Sequence, residues 1–462
     1  MQSCRMGPPR AATARRTGFL CELVRMASIA VALLSQAAPR AAADQVPFTQ
    51  LTIDDNSGDC KMVGDIDGDG LPDLVLAGAP GEDLNWYRYP DWQRTIIAIP
   101  TDEFTTDAEL GDVDGDGDLD VVVPDGPAGD NLHWFENPLP AGDPLIGSQW
   151  VRHTPGSIGD WGKDIELADF DHDGRLDIAT RTHTGAFVFF QIAPDTWSRV
   201  QFAWNLTGEG MTSGDIDGDG DTDIVLRGRW FENPAPTGDP RSGSWASYSI
   251  DTGLYPDLKA LVTDLNGDGH ADVLYSDSEG TGDVAWYEPS TGDPTGPWTK
   301  HLIVANLERC HTLQAADIDL DGDLDVVLGQ MHTSVQRQLM VYYNANSAAT
   351  AWNIQVIDAT GLHNGVVADI GCDGDYDIFG CNWTGNPPLR LWENELSHCP
   401  PGDLNHDLVI DLDDVSLLLA AFDTTAGDAQ FDPAADLDTD GDVDLEDLAT
   451  LLGNYGLSCG PR

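Results

Sequence analysis

An acidic nine-residue pattern, D-x-D-x-D-G-x-x-D, recurs along the 462-residue chain, starting at Asp65, Asp112, Asp169, Asp215, Asp264, Asp317 and Asp369. Asn266 replaces the second Asp in the fifth copy and Gly371 replaces it in the seventh. Steps of 46 to 57 residues between copies are the signature of a repeat architecture with one supersecondary unit per copy. After each loop comes a short apolar run, such as Leu74-Val75-Leu76, Val121-Val122-Val123 or Val326-Val327-Leu328. These runs are too short for helices and rich in β-branched residues, so they read as strands.

Two further signals keep the same period. One is an aromatic strand, Trp86-Tyr87, Trp134-Phe135, Trp230-Phe231, Trp286-Tyr287 and Trp392, replaced by Phe189-Phe190 and Tyr342-Tyr343 in the third and sixth copies. The other is a strand opened by Trp92, Trp150, Trp197, Trp245, Trp298 or Trp352. Together they place eleven of the fourteen tryptophans at equivalent positions, where a core shared between repeats needs them. Four strands per unit and seven units predict a mainly β chain, a seven-bladed β-propeller over residues 44–398. The seventh copy stops near Glu395 without its Trp-opened strand, and Phe48 to Asp54 has the matching pattern. That N-terminal segment is expected to complete the last blade and leave no open sheet edge.

Asp at positions 1, 3, 5 and 9, Gly at position 6 for a sharp turn and a carbonyl at position 7 gather hard oxygens as calcium requires. The candidate ligands are Asp65, Asp67, Asp69 and Asp73; Asp112, Asp114, Asp116 and Asp120; Asp169, Asp171, Asp173 and Asp177; Asp215, Asp217, Asp219 and Asp223. The remaining copies supply Asp264, Asn266, Asp268 and Asp272; Asp317, Asp319, Asp321 and Asp325; and Asp369, Asp373 and Asp377, with the Gly371 copy expected to be weakest. An EF-hand would need an acid at position 12 on an exiting helix. These copies have Leu76, Val123, Thr180, Leu226, Tyr275, Leu328 and Gly380 there, so each loop pins a turn between strands.

On these loops the segment 44–398 resembles the FG-GAP and VCBS repeats of integrin-α-type seven-bladed propellers. The resemblance implies calcium-binding loops and an extracellular recognition scaffold, as in adhesion proteins, lectins and some polysaccharide lyases. It does not choose the ligand.

After Pro400-Pro401 the pattern changes to D-x-[ND]-x-D with an acid at position 12. The candidate calcium ligands here are Asp403, Asn405, Asp407, Asp411 and Asp414, then Asp436, Asp438, Asp440, Asp444 and Asp447. Apolar helix-spaced runs follow, from Val415 to Phe422 and from Leu448 to Leu452. This duplication in 399–462 resembles a type I dockerin, a small α-helical EF-hand-like domain, with Leu408 where the first loop should have Gly. The resemblance implies a cohesin-type protein partner and a place in polysaccharide breakdown.

Composition sets the remaining bounds. Seventy-nine acidic residues against 23 basic ones, a formal charge of -56, repel phosphate backbones, so nucleic acid is not an expected partner. Residues 1–43 carry Arg5, Arg10, Arg15, Arg16, Arg25 and Arg40, then an apolar stretch from Ile29 to Leu34 and an Ala41-Ala42-Ala43 end. That order reads as a secretory signal peptide and predicts a secreted, extracellular or periplasmic protein with no membrane span. Of the six later cysteines, only Cys399 and Cys459 suggest a disulfide, by bracketing the C-terminal segment.

No nucleophile or phosphate-binding motif is present, and a non-catalytic role is favoured. Two constellations fall outside the loops. Lys61, Lys163, His311 and His363 stand where innermost strands begin, and are expected to form a basic ring at the channel mouth able to hold an anionic sugar. Lys259 has the wrong strand parity and is expected to point elsewhere. Glu109 and Glu166 occupy positions that are apolar in other blades, so their pKa values should be raised, as a general acid or base would need. The expected function is binding of extracellular polysaccharide or glycan. A polysaccharide lyase or glycoside hydrolase using the channel mouth, and a protein-adhesion scaffold, are the alternatives.

Overall fold

The computed structural model describes residues 45–461 except 56–57, 78–82, 100–103, 105–106, 128, 207, 384–387, 399–401, 406–408, 426–430, 438–440 and 458–459. The expected signal peptide and the Cys399–Cys459 pair lie outside the described residues. So do Asp407, Asp438 and Asp440.

Seven antiparallel four-stranded sheets follow one another along the chain. Blade 1 runs through Cys60–Gly64, Asp73–Ala77, Leu84–Arg88 and Gln93–Ala98, each strand hydrogen-bonded to the next. The innermost strands of blades 1 to 7 are Cys60–Gly64, Glu109–Gly111, Asp164–Ala168, Met211–Gly214, Leu258–Thr263, Cys310–Ala316 and His363–Ala368. They neighbour one another in cyclic order, the seventh returning to the first, which is a closed propeller. Every acidic loop joins an innermost strand to the second strand, so all seven loops lie at one end of the channel.

The expected closure is present. Phe48–Asp54 pairs antiparallel with Leu389–Asn394, Phe48 opposite Asn394 and Leu51 opposite Leu391, and supplies the outer strand of blade 7. An N-terminal strand thus completes a C-terminal blade, and the two ends of the propeller segment are joined within one sheet.

The recurrent tryptophans pack between blades. Trp86 of blade 1 donates its indole N–H to the Pro144 carbonyl of blade 2 at 3.2 Å, Trp230 of blade 4 to Pro294 at 3.1 Å, and Trp286 of blade 5 to Ala349 at 3.0 Å. For these three fully buried indoles the next blade provides the acceptor that burial calls for.

The C-terminal segment holds two short helices, α1 (Leu412–Ala421) and α2 (Leu445–Asn454). Each starts three residues before its expected apolar run, because Asp411 and Asp444 cap it in a capping box with Asp414 and Asp447. Ile410, Leu418, Ala421, Ala435, Val443 and Leu451 form a small core between them. No helix among the described residues is long and apolar enough to cross a membrane.

Candidate functional site

The acidic loops share one internal geometry. In all seven, one oxygen of the position-1 carboxylate accepts the N–H of the position-6 glycine, from 3.1 Å at Asp112 to 2.8 Å at Asp169 and Asp264. These glycines have φ from 87° to 102°, the left-handed region that a side chain would strain. In loops 1, 2, 3, 4 and 6 the carboxylates at positions 1, 3 and 9 bring one oxygen each within 4.8 Å of one another. These are Asp65, Asp67 and Asp73; Asp112, Asp114 and Asp120; Asp169, Asp171 and Asp177; Asp215, Asp217 and Asp223; Asp317, Asp319 and Asp325. Loops 5 and 7, with Asn266 and Gly371, make no such trio among the described residues.

Position 5 stands apart from these trios. Asp69, Asp116, Asp173, Asp219, Asp268, Asp321 and Asp373 each accept the position-7 N–H of their own loop, at 2.9 to 3.4 Å. They brace the turn in this conformation.

Position 9 does more than the ligand role that its spacing suggests. The Asp120 carboxylate is fully buried; one oxygen accepts the Val113 N–H of its own loop and the other the Asn137 N–H beyond the aromatic strand, both at 2.9 Å. Asp73, Asp177, Asp223, Asp325 and Asp377 repeat this clamp. Asp272 makes only the loop bond, to Leu265, because the equivalent residue beyond the strand is Pro289, which has no N–H.

The clamp also reaches the neighbouring blade. The side-chain amide of Asn137 in blade 2 donates to the Ile66 carbonyl in loop 1 at 2.8 Å. Gln191, Asn233 and Asn394 reach Val113, Phe170 and Ile318 in the same way. The residue at position 2 of these loops is therefore held on both sides, by Asp through its N–H and by Asn or Gln through its carbonyl. The sequence signal was the Asn or Gln following the aromatic strand, which the aromatic pattern alone did not register.

The donor set fits a hard cation. One oxygen each of Asp67 and Asp171 is buried without a hydrogen-bond partner. Both oxygens of Asp118 and of Asp221, at position 7, are likewise buried and unpartnered. These two side chains are additional candidate ligands in loops 2 and 4; the pattern had counted only the position-7 carbonyl. Burial, joined by neighbouring carboxylates, pushes all seven position-9 carboxyls up to about 7 or 8. A divalent ion would hold these groups ionised. Two loops carry internal counter-charge: Arg88 meets Asp67 at 2.8 Å, and Arg241 pairs with Asp171 and with Asp173 at 3.0 Å.

In the C-terminal segment Asp414 and Asp447, read as ligands at position 12, also work as clamps. Asp414 accepts the N–H groups of Leu404 and Asp411, and Asp447 those of Leu437 and Asp444, at 2.7 to 2.8 Å. Asp403 and Asp436 stand at the starts of these loops and Asn405 beside the first, but no three-acid cluster forms among the described residues.

At the channel end opposite the acidic loops lies a mouth of about 560 Å³ lined by Trp161, Lys163, Glu209, Lys259, Glu279, Arg309, His311, His363, Trp383, Asp59 and neighbours. Lys163 and the two histidines face it as expected, and Lys61 lies just inside. A channel cavity of about 410 Å³ continues behind, walled by Lys61, Asp107, Glu109, Asp164 and Glu166; Lys259 and His311 border both spaces. Lys259 therefore faces the lumen, contrary to the parity argument. Consecutive residues such as Lys61, Met62 and Val63 all line this channel, so strand parity does not separate lumen from wall here.

The cations do not form a free basic ring. Lys163 donates to Glu209 at 2.7 Å, and His311 stands 3.7 Å from Glu209 and 3.6 Å from Glu279. His363 stacks on His311 at 3.7 Å and meets Asp59 at 3.0 Å. The buried Lys61 ammonium donates to the carbonyls of Asp59, at 3.0 Å, and His363. Burial, with His311 alongside, pulls His363 down to about 3 and leaves it neutral. Burial opposes the charge on Glu209, yet His311, Lys163 and Lys259 hold it at about 2. Deeper in, burial dominates: it pushes Glu166 up to about 8 and Glu109, with Asp107 and Glu166 near, well above the carboxylate range. The expectation for these two glutamates is met.

Fold and site together define a closed seven-bladed propeller with an acidic loop at the same corner of every blade. The chain carries FG-GAP-like repeats: residues 65–123 and 264–328 match the family model of the FG-GAP-like repeat. No curated protein sequence gave a significant match. Similar solved structures include an Agrocybe aegerita lectin that recognises non-reducing terminal N-acetylglucosamine, 16% identical, covering 69% of this chain and 82% of that one with a TM-score of 0.46. Another is the V. cholerae biofilm matrix protein Bap1, 9% identical over 76% of this chain and 91% of that one, TM-score 0.46. A third is BBS1N in its complex with ARL6DN, 11% identical over 76% and 98%, TM-score 0.47.

Two outcomes follow from this geometry. Asp120→Asn sets an amide N–H₂ against a buried backbone N–H, and should cost about 1–3 kcal/mol in denaturant melts even in excess EGTA, where loss of a cation ligand plays no part. Asp114→Asn, at position 3, keeps the oxygen that accepts the Asp116 N–H, and should lower stability in calcium but change it by less than about 0.5 kcal/mol in EGTA. For Glu166 the folded carboxyl keeps its proton to about pH 8, whereas the unfolded one loses it near 4.5, so the wild-type fold loses stability as pH rises through that window. Glu166→Gln keeps the acceptor for the Ser213 hydroxyl and should exceed wild type by more than about 1 kcal/mol at pH 8 but not at pH 4. A pH-independent difference would contradict this.

Proposed function

We propose that this chain is an exported, calcium-stabilised propeller that binds extracellular carbohydrate at the channel mouth. The observation that carries this reading is the placement of two tryptophans. Trp161, Trp204 and Trp383 are the only three outside the repeat pattern, so the shared core does not require them. Two of the three, Trp161 and Trp383, line the 560 Å³ mouth. Aromatic faces beside carboxylates, an ammonium and imidazoles suit a pyranose, which offers a C–H face and hydroxyls that both donate and accept.

Calcium is the ion proposed for the loops, on the all-oxygen trios and the orphaned carboxylate oxygens. Positions 1 and 3 would bind it directly, position 9 while also holding the blade. The chemistry it supplies is charge neutralisation at the strand turns, not catalysis. For the tail we propose docking to a cohesin-type protein. Its exposed leucines fall in equivalent pairs, Leu412 with Leu445 and Leu419 with Leu452, one of each pair on each helix.

The test uses the full mature chain. Excess EGTA should lower its melting temperature by many degrees, since a ligand bound only by the folded state stabilises it by mass action. In calcium, a panel of polysaccharides should be retained without new reducing or unsaturated ends. New ends would make the chain a lyase or hydrolase, and retention of protein ligands alone would favour the adhesion reading.

A further inference from the structure

Resting on that reading, we infer that the mouth selects uncharged sugars and discriminates against uronates, the anionic sugars that a basic ring would have favoured. The argument is one of charge matching across blades. Three cations line the mouth, Lys163, Lys259 and Arg309, and three carboxylates face them, Asp59, Glu209 and Glu279. Two of the three cations are directly ion-paired, and the third, Lys259, makes no ion pair among the described residues. Lys163 has Glu209 at 2.7 Å, and Arg309 has Glu308 at 2.8 Å. Lys259 lies in the field of Asp107, Asp164, Glu209 and Asp59, which keep it charged against burial. The two histidines are themselves set against Asp59, Glu209 and Glu279.

Behind the mouth, Asp107, Glu109, Asp164 and Glu166 wall the channel together with Lys259 and with Lys61, whose ammonium is held by two backbone carbonyls. Burial keeps Glu109 and Glu166 protonated, and Asp164 lies 3.6 Å from the buried Arg181. A sugar carboxylate entering here would shed water, find Lys163 and Arg309 already paired, and meet Lys259 only among the carboxylates that surround it, with the ionised Glu209 at the mouth. A neutral pyranose pays no such cost. Its hydroxyls can donate to Glu279 and Glu209 and accept from Lys163 and His311, with its C–H face toward Trp383. One ring face of Trp161 is already covered by the Lys163 ammonium, 3.8 Å from the ring centre, which fixes that indole as a wall.

The experiment titrates the full mature chain, in calcium and at physiological ionic strength, with neutral gluco-, manno- and galacto-oligosaccharides and with oligogalacturonate and oligoguluronate of matched length. A neutral series should bind at least about tenfold tighter than either uronate, and Trp383→Ala should weaken it by about tenfold or more. Glu209→Gln strips both Lys163 and His311 of a partner and should narrow the neutral-over-uronate preference by about fivefold or more. Glu209 is buried, so Glu279→Gln on the half-exposed rim provides a second variant, expected to shift the preference in the same direction by a smaller factor. Uronates binding as tightly as neutral sugars, or variants that leave the preference unchanged, would overturn the inference while leaving carbohydrate binding standing. Failure of every glycan to bind would overturn the carbohydrate reading itself.

Discussion

A buried carboxylate that accepts two backbone N–H groups is the interaction on which the blades depend. At position 9 of six loops it ties the turn after the innermost strand to the end of the third strand, as Asp120 does with Val113 and Asn137. An Asn or Gln from the following blade then takes the carbonyl of that same turn residue at four junctions. Adjacent blades in a propeller share no continuous sheet, so backbone groups at their junctions need partners outside the sheet ladders, and here side chains supply several of them. The acidic repeat therefore supplies the polar joints of the ring as well as candidate cation ligands, and tryptophan indoles bonded to the next blade supply its apolar ones.

The fold separates two chemistries by strand direction. Innermost strands start at the mouth and end at the acidic loops, so residues just before them converge at one end and those just after them at the other. The loop end concentrates carboxylates that a cation can neutralise. The mouth end draws Asp59, Lys163, Glu209, Lys259, His311 and His363 from different blades into one balanced set.

Much of this was legible in the sequence, because a repeat exposes its own rules. The recurrent apolar runs and aromatics located the strands, and the missing seventh outer strand correctly pointed to Phe48–Asp54. What escaped the pattern is what a pattern cannot carry. Spacing shows that an aspartate recurs, not whether its oxygens face an ion or an amide, so position 9 looked like a ligand alone. Parity suits a strand with one buried face, and it misplaced Lys259 because consecutive residues of the innermost strands line the lumen. The lysines and histidines looked like a basic ring because their partners, Asp59, Glu209 and Glu279, lie in other blades, where only the closed fold brings them within reach.

Amide hydrogen exchange at the turn residues themselves tests the clamp most directly. The amides of Ile66, Val113, Phe170, Ile216, Ile318 and Ile370 should exchange slowly both in calcium and after its removal, because a buried carboxylate, not the ion, accepts them. Rapid exchange at these amides once calcium is removed, with the strand amides still protected, would contradict the account and make the ion the joint.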